Sequence, residues 1–136
     1  MPKIYRSMQI EGGMPRLGES ARCLGVRVPH DIAPDQSGTV VPGPQGMSVA
    51  PSLRQLPAHR IPMRLIHLAA HAAGRNDDHV WSMGEGEFVS DALCPGLALH
   101  VTSERHGVVC PDTAMKLAIY VQALATTRQI WSIDED

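Results

Sequence analysis

Sixteen of the 23 glycines and prolines in this 136-residue chain fall before residue 63, and this uneven punctuation constrains the fold more than any motif does. Average usage would give roughly 16 Gly plus Pro in such a length. Glycine weakens a helix interior through backbone entropy, and proline through its missing N–H and its ring. A helical bundle or coiled coil is therefore excluded, and the first half is expected to consist of turns joining short strands. At 43% hydrophobic and 19% charged the chain is too apolar for a disordered protein, yet it holds only five aromatic residues. Its core must then be filled by Leu, Ile, Val, Met and Ala. Residues 1–136 read as one domain.

Local patterns refine this. Lys3–Met8 (KIYRSM) alternates polar and apolar residues, which predicts a strand with Tyr5 and Arg6 on opposite faces. Residues 23–28 (CLGVRV) read as a second strand. Residues 29–44 read as turns around an extended piece at Thr39-Val40-Val41, and Gly46-Met47-Ser48-Val49 as another strand. Residues 63–73 (MRLIHLAAHAA) lack alternation and stop at Gly74, which predicts a short helix with His67 and His71 on one face. Val80–Met83 and Glu87–Ser90 read as strands around Gly84-Glu85-Gly86, and Leu97–Ser103 as a strand with His106–Cys110 as its hairpin partner. Pro111 then ends the sheet. Asp112 or Thr113 is placed to cap a helix in which Leu117, Tyr120, Val121, Leu124, Arg128 and Trp131 recur at helical spacing over about five turns. The expected class is α+β, a small, mostly antiparallel sheet with a C-terminal amphipathic helix.

Charge and motifs exclude several functions. A formal charge of −2 rules out a polybasic surface for duplex nucleic acid, although ten of the twelve basic residues are Arg, the forked donor suited to phosphate. Three cysteines, Cys23, Cys94 and Cys110, cannot all pair and form no C-x-x-C motif, which favours a reducing cytoplasm. The first 20 residues lack the apolar run of a signal peptide, and no stretch approaches the roughly 20 apolar residues of a membrane span. Action in the cytoplasm is expected, with any export independent of a cleavable signal.

His67 and His71 have the spacing of zinc ligands but lack the metalloprotease Glu and a third ligand, so they read as helix-face histidines and no metal is assigned. Cys110 with His106 has no orienting Asn or Asp, and reads as a buried cysteine. Gly43-Pro44-Gln45-Gly46 has neither Rossmann spacing nor the Lys-Ser/Thr of a P-loop.

What remains is dispersed but ordered: Ile4-Tyr5-Arg6 on the first strand, Gly46-Met47-Ser48-Val49 on a middle one, and His106 followed by Pro111 and Met115, an H-x4-P-x3-M element entering the last helix. With these residues in this order the chain resembles the small cytoplasmic toxin family of type VI secretion, whose fold is similar to ADP-ribosyltransferase toxins. The family's motifs run Leu-Tyr-Arg, Gly-Thr-Ser-Val and H-x4-P-x3-M; the family's Thr falls at Met47. Residues 60–95 carry no counterpart. The resemblance implies a split antiparallel sheet, NAD as substrate, Arg6, Ser48 and His106 as catalytic residues, and Tyr5, Arg6, Met47 and Ser48 as NAD contacts. It also implies a macromolecular acceptor and a cognate immunity protein.

The chemistry of such a set is independent of the family. Transfer of ADP-ribose passes through an oxocarbenium-like centre, which calls for a cation on the diphosphate, a hydroxyl near the ribose and a polar group near the anomeric carbon. Arg6 suits the first role and Ser48 the second, while His106 is suited to bind the nicotinamide amide, a ribose hydroxyl or the acceptor. Glu85-Gly86-Glu87 offers a competing E-x-E pair, read more simply as an exposed turn, and Glu104 is a further candidate beside His106. Two other functions fit the same residues. One is a non-catalytic protein-interaction module, motivated by Met47. The other is an NAD-using enzyme acting on RNA, which the lack of a basic stripe disfavours.

Overall fold

The computed structural model describes all of residues 1–136. The chain runs through β1 (Ile4–Met8), β2 (Ile10–Glu11), β3 (Met14–Pro15), β4 (Thr39–Val40), β5 (Met47–Val49) and β6 (His79–Met83). It continues through β7 (Asp91–Ala92), β8 (Leu97–Ser103), β9 (His106–Pro111), β10 (Met115–Lys116), the only α-helix α1 (Leu117–Thr126) and β11 (Ser132–Ile133). Every pairing between these strands is antiparallel. The result is a small α+β domain with one helix near its C-terminus. No helix is long and apolar enough to cross a membrane.

Two sheets dominate, one in the order β1-β6-β11 and one in the order β5-β9-β8-β7. They meet where Tyr5 N donates to Ala50 O at 2.8 Å and Ala50 N donates to Tyr5 O at 2.9 Å. This reciprocal pair sets β1 beside the end of β5, which is what brings the first and middle motifs together. Strand alternation directs Ile4 and Met8 into the main core, where they join Met47, Val49, Leu97, Leu99, Val109 and Leu124. Trp81, Tyr120 and Trp131 are buried in the same cluster, so the scarce aromatics are spent inside. A smaller cluster of Ala50, Leu53, Leu56, Ile61 and Val80 packs beneath Tyr5.

Four expected elements differ. Residues 23–28 form no strand: Leu24 makes a single bridge to Leu17, and the segment is a loop, buried over residues 23–26, whose Cys23 carbonyl turns toward a side chain of β1. Residues 63–73 give only a 3-10 helix over Met63–Leu68. Ala69 is extended, and Ala73 N donates to Ala58 O rather than continuing a helix, so His67 and His71 do not share a helix face. Residues 87–90 turn tightly, with Val89 N donating to Glu87 O, and the strand follows at Asp91. The last helix begins at Leu117 and not near Asp112, because Met115–Lys116 pair with Thr39–Val40 and Leu117 N donates to Gly38 O. It ends at Thr126, before a 3-10 turn over Arg128–Ile130, and so lacks the expected length.

Tyr120 locks this helix to the second sheet. Its hydroxyl donates to Val109 O at 2.5 Å and accepts from Met47 N at 3.2 Å, and burial holds its pKa well above the ordinary phenol value. Gly46 is required beside it, since a Cβ there would lie 2.2 Å from Val109 O. Tyr120→Phe leaves the Met47 N–H without this partner, and is expected to lower unfolding free energy by about 1–3 kcal/mol. A urea midpoint equal to that of the unaltered chain would contradict this.

Candidate functional site

Arg6 stands between Ile4 and Met8 on the core-facing side of β1, so alternation carries its guanidinium inward, and only 6% of the residue remains exposed. A buried cation must find acceptors. Nε donates to Cys23 O at 3.1 Å, Nη2 to Cys23 O at 3.0 Å and Ala21 O at 3.2 Å, and Nη1 to Ser48 O at 2.7 Å. Burial and the nearby charge of Arg60 push its pKa down to about 10, which leaves it protonated at neutral pH. Arg6 thus fastens the loop at 21–23 to β5, and four of the contacts its five N–H groups can make are already committed.

Arg6, Ser48 and His106 all line one cleft of about 230 Å³. Arg27, Asp31, His59 and Arg60 line it as well, with Leu56 and Pro57 at one side. Asp31 is held by Arg27 through Nε at 3.2 Å, Nη2 at 3.0 Å and the Arg27 backbone N–H at 2.7 Å. These bonds outweigh burial and keep its carboxyl below the ordinary range. Arg60 donates through Nη2 to Ser7 O at 3.0 Å and Ala21 O at 2.6 Å.

Ser48 lies in the centre of β5 opposite Val108, exposed between buried Met47 and Val49, and its hydroxyl makes no hydrogen bond within the protein. His106 opens β9 two residues before Val108, on the same face by strand alternation. Its Nδ1 is 2.6 Å from Thr102 Oγ1, a hydroxyl placed 3.0 Å from His106 O. When that hydroxyl gives its single proton to the carbonyl, it accepts from Nδ1–H, and the neutral ring presents Nε2 as an acceptor. Burial lowers the His106 pKa, which favours this neutral form.

The other expected residues lie elsewhere. Tyr5 is half-buried against the smaller apolar cluster, and Met47 is 1% exposed in the main core; neither lines the cleft. Glu85 faces a separate depression with Met1 and Lys3, Glu87 is exposed, and Glu104 is exposed in the β8–β9 turn. Cys110 is buried, and all three cysteines are free. His67 is exposed, and His71 Nε2 lies 3.0 Å from Leu56 O. Arg27, Asp31, His59 and Arg60 were missed from the sequence. The available signal was Ala58-His59-Arg60, a basic turn bounded by Pro57 and Pro62.

Compared with protein-family models, curated proteins and solved structures, the chain matches none.

Two outcomes follow from this geometry. Arg6→Lys keeps the charge but loses the fork that reaches three carbonyls, and is expected to lower unfolding free energy by about 2–4 kcal/mol in urea denaturation. The second concerns His106, whose ring is expected to titrate below its ordinary 6.5 by NMR. Because the folded state resists a proton that the unfolded chain accepts, His106 lowers stability as pH falls from 6.5 through the depressed value. A measured value at or above 6.5 would refute it.

Proposed function

We propose that this protein is an NAD-using ADP-ribosyltransferase-like enzyme that acts as a toxin in the cytoplasm of a target cell. The observation that carries the reading is the convergence of Arg6, Ser48 and His106 on one cleft, although 42 residues separate the first two and 58 the last two. Two antiparallel sheets joined at Tyr5 and Ala50 are compatible with the split sheet that the resemblance implies. The cleft is smaller than the roughly 300–1,000 Å³ of pockets that enclose a whole small ligand. It therefore takes one half of a dinucleotide, and the other half runs along the rim.

The residues divide the work by what each has free. Arg6 has little left to donate, so its role is to hold the Ser48 segment against the loop at 21–23 and keep the cleft wall positively charged. Ser48 Oγ is free to bond a ribose hydroxyl or the nicotinamide amide. In the reaction the bond between the nicotinamide nitrogen and C1′ breaks, and its electron pair leaves on that nitrogen and neutralises the ring. The acceptor's lone pair forms the new bond at C1′, and the acceptor's proton passes to His106 Nε2. The burial of Met47 weighs against the motive for a non-catalytic module, because a side chain at that position does not line the cleft. A toxin of this kind requires an immunity protein in its producer, and the simplest one covers the cleft.

Nicotinamide release from NAD, measured in target-cell lysate, tests the reading. His106→Ala is expected to lower turnover about 100-fold or more, and Ser48→Ala to raise KM. Host cells making the unaltered protein are expected to stop growing, and those making either variant to continue. Equal growth of all three strains with no nicotinamide released would overturn the proposal. The absence of NAD binding at millimolar ligand in calorimetry would move it to the interaction module.

A further inference from the structure

Three guanidinium groups line the cleft, and a single carboxylate, Asp31, faces them there. Asp31 is already spent in a two-pronged pair with Arg27. Arg6 and Arg60 make no ion pair and bond only to backbone carbonyls. Their donor inventories differ. Arg6 is almost fully committed, whereas Arg60 uses only Nη2, so its Nε–H and both Nη1–H groups are unpartnered in the protein. Arg27 spends Nε and Nη2 on Asp31 and likewise keeps Nη1 free.

A half-buried cation beside other cations is held at a cost unless an anion joins it. Arg60 feels that cost, since burial and the charges of Arg22 and Arg27 lower its pKa. The opposing charge, Asp78, is buried and bound through both oxygens to Arg22 at 2.6 and 2.7 Å. Ser7, whose carbonyl anchors Arg60, lines the same cleft, and its Oγ is the one buried side-chain polar atom in the chain without a hydrogen-bond partner. Unpaired polar groups of this kind are rare and gather where a water or ligand is expected.

We propose that Arg60 and Arg27, and not Arg6, form the phosphate-binding subsite of this cleft, taking the diphosphate of a nucleotide such as ADP-ribose or NAD. Arg60 offers single charged N–H donors from Nε and Nη1, Arg27 offers its free Nη1 end, and charged N–H donors suit phosphate oxygens. The bonds of Arg60 Nη2 to Ser7 O and Ala21 O fix one guanidinium, and the Asp31 clasp fixes the other. Only the choice of a nucleotide rests on the enzymatic reading; the anion site stands on the unpaired donors.

The test is calorimetry on the full chain with inorganic pyrophosphate, ADP-ribose and adenosine, alongside nicotinamide release from NAD. Arg60→Gln and Arg27→Gln are each expected to weaken pyrophosphate and ADP-ribose at least 10-fold and to leave adenosine unchanged. Arg60→Lys, which keeps the charge without the fixed guanidinium donors, is expected to give a smaller loss, and it carries the test with Arg27→Gln if Arg60→Gln fails to fold. Ser7→Ala deletes a hydroxyl that bonds to nothing, and is expected to leave the melting temperature equal or higher. Pyrophosphate binding that depends on Arg60, without nicotinamide release, keeps the subsite and overturns the enzyme. Nicotinamide release with unchanged KM in folded Arg60 and Arg27 variants keeps the enzyme and overturns the subsite. Affinity for ADP-ribose no greater than for pyrophosphate overturns the nucleotide assignment.

Discussion

A single buried guanidinium organises the cleft. Arg6 is carried inward by the alternation that buries Ile4 and Met8, and its charge has to be met there by carbonyls from the loop at 21–23 and from β5. Those carbonyls belong to residues 15 to 42 positions away in the chain, so the bonds act as a clamp on segments that no continuous ladder joins. The loop forms no strand, and apart from Arg6 it is placed by the bridge of Leu24 to Leu17, the Arg22 pair with Asp78, the bond from Gln9 N to Arg22 O and Arg60. The rest of the cleft is built on that placement, because Arg60 donates to the same Ala21 carbonyl.

This arrangement separates structure from recognition among chemically identical side chains. Each guanidinium has five donors in a fixed plane, and what distinguishes the three in the cleft is how many the protein has consumed. Arg6 has consumed nearly all of them and is a frame. Arg27 is half consumed by Asp31, and Arg60 by two carbonyls, so each keeps unpartnered N–H groups. Ser48 and His106 are likewise positioned through atoms other than the free ones: Ser48 through its carbonyl, leaving Oγ, and His106 through Nδ1, leaving Nε2.

The parts of this picture that were legible in the sequence depend on local periodicity. Lys3–Met8 and Leu97–Ser103 alternate, Val80–Met83 is a short run ending at the Gly84 turn, and all three appear as strands with nearly the expected bounds. The ordered motif residues Arg6, Ser48 and His106 were legible as a set, and they share a cleft. The misses come from tertiary demands that no local pattern carries. MRLIHLAAHAA has good helix formers, but its backbone is drawn off at Ala69 and Ala73 to bond other loops. Asp112 is a sound cap that is never used, because a short pairing with Thr39–Val40 delays the helix to Leu117. Arg60 is silent in sequence because its meaning lies in which of its donors remain free, a property of the folded chain alone.

The same unpaired charge that suits the cleft to an anion also bears on stability. With few aromatics and a small aliphatic core, this domain has little reserve, and small domains are marginal in any case. Holding Arg6 and Arg60 without a carboxylate of their own spends part of that reserve, as the lowering of both pKa values by burial and by neighbouring guanidinium groups indicates. Any ligand that brings negative charge to the folded cleft and not to the unfolded chain restores it by mass action. Substrate binding, and occlusion by an acidic partner segment, would therefore draw on one electrostatic deficit. A protein that silenced this cleft by presenting a carboxylate to Arg60 would stabilise the fold as it blocked the site, whereas one that bound elsewhere would leave the deficit in place.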